Sequence, residues 1–353
     1  YGFTNGQTLD GEGLLQPRVG FTFDWTDETS LRGGVGLYSG GNPNVWLSNN
    51  YSNNNVLQFG QRGRSFCYTP SFRGDCGDPP VQRSLFDNDV EFRAVESNAP
   101  AGAGPGWGIP SELYDAVAQG VGDNFEINYL DPDFNLPSEV KIALGATHYF
   151  PNDYVVTADF LWSRLQDSAI VLRGDLEQVG VTPEGYPDYD SVREPSFTLT
   201  NSSVDADSWT ASLGLSKSWD TFNFMVGYSY TDAEDINPMT SSVAFSNYQN
   251  RAFFDPQEQV ASTSNYSIKH RFTGTAVWRP TLFNRLPSVF SLFAQYNTGR
   301  PYSVTTGGNQ FYNFTPFLEG TNVLEPPRER NSQTGSSWFK VDARIDVGIP
   351  LFN

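Results

Sequence analysis

The chain has 353 residues, a hydrophobic fraction of 38% and a formal net charge of −18, from 40 acidic and 22 basic residues. The acidic balance and the lack of any basic block exclude a general nucleic-acid binder, because phosphate contact needs a basic surface. No run of 18 apolar residues occurs, which excludes a helical membrane span but not strands, whose alternation escapes hydropathy averaging.

Aromatics are abundant, with 27 Phe, 17 Tyr and 8 Trp, and 33 Gly and 23 Pro punctuate them. That mixture points to an all-β chain with generous loops. Nine alternating runs follow in chain order. Residues 17–25 place Val19, Phe21, Phe23 and Trp25 on one face, against Arg18, Gly20, Thr22 and Asp24. Residues 30–38 place Leu31, Val35 and Leu37 against Arg32, Gly34 and Gly36. Residues 140–150 set Val140, Ile142, Leu144 and Phe150 against Lys141 and Thr147, and 154–163 set Tyr154, Val156, Phe160 and Trp162 against Thr157 and Asp159. Residues 208–219 carry Trp209, Leu213, Leu215 and Trp219. The next run carries Phe222, Phe224, Val226, Tyr228 and Tyr230. Residues 266–278 carry Phe272 and Trp278 against Arg271, 288–299 carry Phe290, Leu292 and Tyr296, and 338–349 carry Phe339, Val341, Ile345 and Val347 against Lys340, Asp342, Arg344 and Asp346.

Several runs reach the ~9–11 residues that a tilted transmembrane strand needs, well above the ordinary strand length of about 5–6. The turns at 24–30, 151–153, 219–221 and 279–288 are short, whereas the connections 40–138, 164–206, 232–265 and 300–336 are long. Alternating short and long connections is the rule for outer-membrane barrels. Trp25, Phe150, Tyr154, Trp219, Phe222 and Trp278 sit beside the short turns, and Tyr38, Trp162, Tyr230 and Tyr296 toward the long loops, as in two interfacial girdles. The charged face, with Arg18, Arg32, Lys141, Asp159, Arg271, Asp342 and Arg344, is expected to meet water or a polar plug rather than a dry core. The predicted fold is therefore an antiparallel transmembrane β-barrel portion with long extracellular loops, in which 40–138 is a loop insertion.

Within the long loops, Cys67 and Cys76 are close together in a polar segment, which favours a local disulfide in an oxidising compartment; two free thiols are the alternative. "IPSELYDAVAQG" (109–120) reads as a short helix capped by Ser111 and stopped by Gly120. Asp232, Glu234 and Asp235 fall short of a calcium loop and read as a solvated acidic rim. Two Arg-Gly-Asp tripeptides, at 73–75 and 173–175, are assigned no role. The two histidines, His148 and His270, are far apart and fit no zinc pattern, and neither a GxSxG nor a phosphate-binding loop occurs. No enzymatic activity, cofactor or metal is expected.

"LQPRVGFTFDW", "TSLRGGVGLYSGGNPNVWLSNNYSN", "YLDPDFNLPSEVKIALGATHYFPNDYVVTADFLWS", "SYTDAEDINPMTSSVAFSNYQNRAFFDP", "STSNYSIKHRFTGTAVW", "SLFAQYNTGRPYSVTTGG" and "SWFKVDARIDVGIP" follow one another at barrel spacing. In series they resemble the C-terminal half of the barrel of Oar-like TonB-dependent receptors of the bacterial outer membrane. The resemblance implies a 22-stranded barrel, of which these nine strands are part, with an N-terminal plug, a TonB-binding segment and further strands outside this sequence. It implies ligand capture at the cell surface and energy-coupled uptake. Export of protein or peptide, or adhesion, is the alternative within the family, and a soluble β-rich carbohydrate-binding protein is the alternative outside it. Expected partners are the plug, the remaining strands, TonB, outer-membrane lipid and an unknown extracellular ligand. Arg18, Arg32, Arg271 and Arg344 would line the lumen or grip the plug. From loop position and chemistry, Trp46, Tyr51, Tyr248, Arg300 and Tyr302 are the candidate ligand contacts.

Overall fold

The computed structural model describes residues 7–40, 44–52, 65–67, 82–84, 92–94, 108–110, 127–183, 185–192, 196–283, 285–307, 322–324 and 328–349. Nine long strands form one antiparallel meander: β1 (Arg18–Thr26), β2 (Thr29–Tyr38), β3 (Ser138–Phe150), β4 (Tyr154–Gln166), β5 (Ala206–Ser218), β6 (Phe222–Asp235), β7 (His270–Trp278), β8 (Leu286–Asn297) and β9 (Trp338–Val347). Each pairs with its neighbour in sequence. Two short segments, Ser262–Thr263 and Thr281–Leu282, add to the same sheet.

Because the side-chain period is two, register fixes which face each residue takes. One row runs Val156, Leu215, Val226, Gly274, Ala294 and Val341 across six strands. The row beside it runs Thr157, Gly214, Gly227, Thr273, Gln295 and Lys340. The apolar face therefore continues from β2 to β9 without a slip, and the β1–β2 pair shifts once, between Asp24 and Thr26, beside its turn. The face is also uncovered: Val19 is 72% exposed, Trp25 68% and Ile345 65%. Water would penalise a patch of this extent, whereas acyl chains cover it at no such cost.

Two tiers of aromatics border this face. At the short turns, Trp219 lies 5.5 Å from Phe222 and 6.4 Å from Tyr154, and Trp278 lies 5.3 Å from Phe290. The Lys217 ammonium rests 4.1 Å from the Tyr154 ring centre and 4.5 Å from that of Trp219, so its stem lies along apolar surface while its charge meets aromatic faces. At the long-loop end, Trp209 stacks on Tyr230 at 4.8 Å and Phe272 meets Tyr296 at 6.1 Å. Tyr38 departs from the expected girdle. It pairs with Glu139 on the polar face, and the Arg18 guanidinium lies 4.2 Å over its ring. The tight turn between β3 and β4 holds Asn152 at φ 68° and Asp153 at φ 63°, a left-handed geometry that Asn and Asp tolerate better than most residues.

The buried core is not between sheets. It lies in the long connections, which fold together into a canopy over one end of the strands. Ile127–Leu130 pairs in parallel with Ser196–Asn201, which pairs antiparallel with Ala169–Arg173. Two helices, α1 (Asn44–Ser52) and α2 (Ala244–Gln249), pack on this small sheet. Leu130, Phe197, Tyr248 and Phe253 are buried at its centre. Phe197 meets Tyr248 at 5.6 Å and Phe245 at 5.9 Å in edge-on geometry. Burying a large apolar side chain contributes roughly 1.5–3 kcal/mol, so this cluster is what orders connections that the sequence leaves without period. The expected helix over 109–120 lies almost wholly outside the described residues; Ile109 and Pro110 belong to a short strand, Gly108–Pro110.

The second Arg-Gly-Asp tripeptide is part of this canopy. Arg173 and Asp175 have no exposed side-chain surface and form a forked ion pair, with Nε donating to Oδ1 at 2.5 Å and Nη2 to Oδ2. Asp175 also accepts from Ser191 Oγ at 2.7 Å and from the Ser196 amide at 3.1 Å. A Cβ on Gly174 would collide with the Tyr129 hydroxyl, so only glycine fits between the two charges. Asp175→Asn is expected to destabilise the canopy by about 3–5 kcal/mol, because it strands a buried guanidinium. Pairing it with Arg173→Met is expected to recover part of that loss. Urea titration of the detergent-solubilised protein, read by protease sensitivity of the loops, checks both.

Candidate functional site

A trough of about 790 Å³ is bordered by Arg18, Arg32, Tyr38, Asp159, Thr210 and Ser212 of the polar face and, at its edge, by Val19, Phe21, Leu144 and Phe160. Arg32 Nη2 contacts Asp159 Oδ1 at 2.5 Å, and its Nη1 donates to Thr147 Oγ1 at 2.9 Å. Gly145 lies directly across, and a Cβ there would overlap both partners. Arg18 also donates to Gln16 Oε1 at 2.9 Å, and Lys141 pairs with Glu139 at 2.7 Å. Lys340 pairs with Asp342 and Arg344 with Asp346, each at 2.8 Å. Arg271 shares the face, between Ser229 and Asn297. Register thus brings Arg18, Arg32, Lys141, Asp159, Arg271, Asp342 and Arg344 to one side of the sheet. These pairs are mostly half-exposed or more and so are screened by solvent; they arrange charge more than they hold the fold.

Where the trough meets the canopy, a second cavity of about 250 Å³ opens. Glu139, Leu165 and Asp235 form its floor from the loop ends of β3, β4 and β6, all on the polar face by register. Ser168, Ile236, Asn237 and Met239 form its sides, and Trp46 of α1 roofs it. The indole is fixed by Nε1 donating to the Ser241 carbonyl at 3.2 Å. Met239 sits at φ 44°, rare for a bulky residue, with its amide donating to Asn237 Oδ1 at 3.1 Å.

The five candidate ligand contacts separate. Trp46 reaches this cavity. Tyr51 falls on the last turn of α1, with its side chain outside the described residues. Arg300 and Tyr302 are exposed beyond the end of β8. Tyr248 is a correction: it has no exposed surface and packs against Phe197 and Phe253, so it builds the canopy and meets no solute. Asp235 corrects the solvated acidic rim, since it pairs with the buried Arg330 at 2.6 Å. Cys67 lies on a short strand without a described side chain, and Cys76 lies outside the described residues. Glu139, Ser168, Asn237 and Met239 were not singled out from the sequence; no spacing links segments so far apart. Among the described residues, no cluster of three metal-ligating side chains occurs.

The strap that closes the canopy comes from the last connection. Arg328 lies 4.6 Å over the Tyr186 ring and 4.7 Å over that of Phe254. Nearby, Arg251 donates to the carbonyls of Glu258 at 3.0 Å and Pro256 at 2.7 Å, while burial lowers its pKa. Tyr189 donates to Asp255 Oδ1 at 2.9 Å, and its phenol is held neutral mainly by burial and secondly by that bond.

Residues 4–346 match the family described as outer membrane beta barrel domain. The chain belongs to that family. It is a β-barrel protein of the outer membrane. Among solved structures it is similar to the outer membrane transporter YddB from Escherichia coli, at 10% identity and TM-score 0.50, covering 94% of this chain and 34% of that one. It is also similar to the FrpB iron transporter (F3-3 variant) from Neisseria meningitidis, at 9% identity, TM-score 0.44, and 94% and 31% coverage. The siderophore receptor PirA from Acinetobacter baumannii matches at 10% identity, TM-score 0.44, and 96% and 35% coverage. The barrel protein thus spans about a third of the length of these structures. No curated protein matches its sequence.

Burial raises the Glu258 carboxyl above its ordinary range, outweighing the amides of Phe254 and Asp255 that donate to it at 3.2 and 3.1 Å. A carboxyl with a raised folded pKa binds its proton more tightly when folded. Canopy stability is therefore expected to fall as pH rises from the ordinary carboxylate range through the raised value. Glu258→Gln is expected to flatten that dependence, as read by hydrogen exchange of residues 253–259 across the same pH range. An unchanged slope contradicts it.

Proposed function

We propose that the barrel protein is the C-terminal barrel portion of a TonB-dependent receptor that captures a solute at the cell surface for uptake across the outer membrane. The observation that carries this reading is the pairing of a continuous, uncovered apolar face with an opposite face of ion pairs, ending in a roofed mouth. An apolar exterior with a charged interior fits a barrel wide enough to hold water or a polar plug. Among the described residues, β1 and β9 pair on one side only. Lipid does not tolerate an open strand edge, since each unsatisfied backbone group costs several kcal/mol there. Further strands of the same protein close the ring in this reading, to a total of 22, and an upstream plug packs against Arg18, Arg32, Lys141, Asp159, Arg271, Asp342 and Arg344. The barrel itself performs no covalent step. Its work is to hold a passage and present a mouth, while energy arrives through TonB.

Solute depletion from the medium tests this. Cells with the intact gene, cells lacking it and cells lacking TonB are grown side by side, and the medium is compared by mass spectrometry. At least one solute is expected to be consumed by the first strain and left by both others. Uptake indifferent to TonB contradicts the reading, and so does a secreted protein that stalls in the periplasm when the barrel gene is removed.

A further inference from the structure

We propose that the lipid-facing side of the sheet holds one anionic glycerophospholipid of the inner leaflet, with its phosphate at Lys217 and one acyl chain in the groove that begins beside it. This site lies on the outside of the wall and is independent of which solute the barrel passes. Among the described residues of the nine long strands, register places two Lys or Arg side chains, Arg164 and Lys217, on the apolar face. Arg164 lies across from Asp207, in the row beyond Trp162 and Trp209. It is neutralised there by a forked pair, with Nε donating to Oδ1 and Nη2 to Oδ2, each at 2.8 Å. Lys217 lies at the opposite end, beside the short turn, in the row of Tyr154 and Phe224. Its ammonium has no carboxylate partner and no hydrogen bond among the described residues. Asp153 and Asp220, on the two nearest turns, form no ion pair with it.

That contrast points to a charge supplied from outside the protein. The contacts of 4.1 Å with the Tyr154 ring and 4.5 Å with the Trp219 ring orient the ammonium but neutralise none of its charge, and its three N–H donors stay open. Short turns of outer-membrane barrels are periplasmic, so Lys217 stands at the headgroup level of the inner leaflet, which is built of glycerophospholipids. A phosphodiester there is the missing anion. A net-negative headgroup supplies it better than a zwitterionic one, whose own ammonium competes. The surface next to Lys217 fits the rest of such a molecule. Two residues back along β5, about 6.8 Å toward the bilayer centre, Leu215 borders a groove of about 390 Å³. Register explains the depression. Gly274 and Ala294 lie side by side next to Val226, and the larger Phe272 and Tyr296 stand in the row beside them. An apolar groove between a charged head site and the bilayer centre is where an acyl chain from that head would lie.

The test uses the full-length protein purified in detergent and stripped of lipid. It is mixed with equal amounts of phosphatidylglycerol and phosphatidylethanolamine and weighed by native mass spectrometry with lipid still bound. Preferential retention of phosphatidylglycerol is expected. Lys217→Gln is expected to lower that retention roughly fivefold and leave phosphatidylethanolamine unchanged, whereas Lys217→Arg keeps the preference. Ala294→Leu fills the groove, so it is expected to weaken retention of long-chain phosphatidylglycerol and spare the dihexanoyl form. Folding of each variant is checked by the heat-modifiable migration of the barrel. Millimolar inorganic phosphate is expected not to displace the lipid. Equal retention of the two lipids overturns the proposal, as does a Lys217→Gln protein that retains phosphatidylglycerol like the parent. Long-chain retention that Ala294→Leu leaves unchanged also overturns it. Displacement by inorganic phosphate would do the same, by making Lys217 a site for an adventitious ion only.

Discussion

Everything in this molecule depends on one constraint: backbone N–H and C=O groups within a bilayer have no water to fall back on. The nine-strand meander answers it by pairing every long strand with its sequence neighbour, in continuous register from β2 to β9 and with one shift, between Asp24 and Thr26, beside the first turn. That continuity sorts the side chains as well. A shift of one residue in any pair would turn Phe222, Phe224 and Val226 toward the ion pairs and put Arg271 or Asp159 against lipid. The ladder and the two-faced pattern are thus one feature. Neither the half-exposed ion pairs nor the aromatic tiers would hold the sheet alone.

Folding energy is divided between two solvents. In the strands, the apolar side chains gain nothing from one another's burial and are left to lipid. In the canopy, which stands in water, a conventional core forms around Phe197, Tyr248 and Phe253, with the Arg173–Asp175 pair sealed inside it. The two regions meet at Glu139, Leu165 and Asp235, where strands leave the polar face and helix α1 crosses above. That junction joins residues fixed by the barrel to residues fixed by the loops.

The strands were legible because a period of two is a local signal. Phe222 to Tyr230 shows it without reference to any other segment, and the short turn at Asn152 and Asp153 carries its own chemistry. The canopy was not legible for the opposite reason. Its central sheet pairs Ile127–Leu130 with Ser196–Asn201, and nothing local in either segment names the other. Tyr248 looked like a loop aromatic free to meet a ligand, and Asp235 like a solvated acid, because burial there comes from Phe197 and Arg330, remote in sequence. The parity of Tyr38 was legible in principle: it alternates with Leu37, on the side of Gly36 and Arg18. Its aromatic character drew it to the wrong face. Of the mouth, Trp46 was within reach of sequence reasoning, whereas Ser168 and Asn237 are ordinary loop residues until the fold brings them together.

The face assignment of β6 is the point on which the membrane reading turns. Single cysteines placed from Phe222 to Tyr230, with Cys67→Ser and Cys76→Ser as background, can be spin-labelled in the full-length protein reconstituted in lipid. Relaxation by dissolved oxygen reports lipid contact, and relaxation by a water-soluble nickel chelate reports the aqueous side. Oxygen accessibility is predicted to peak at 222, 224, 226 and 228 and to dip at 223, 225, 227 and 229, with the nickel profile never in phase with it. A profile without a period of two, or with oxygen maxima at the odd positions, would contradict the lipid-facing apolar surface.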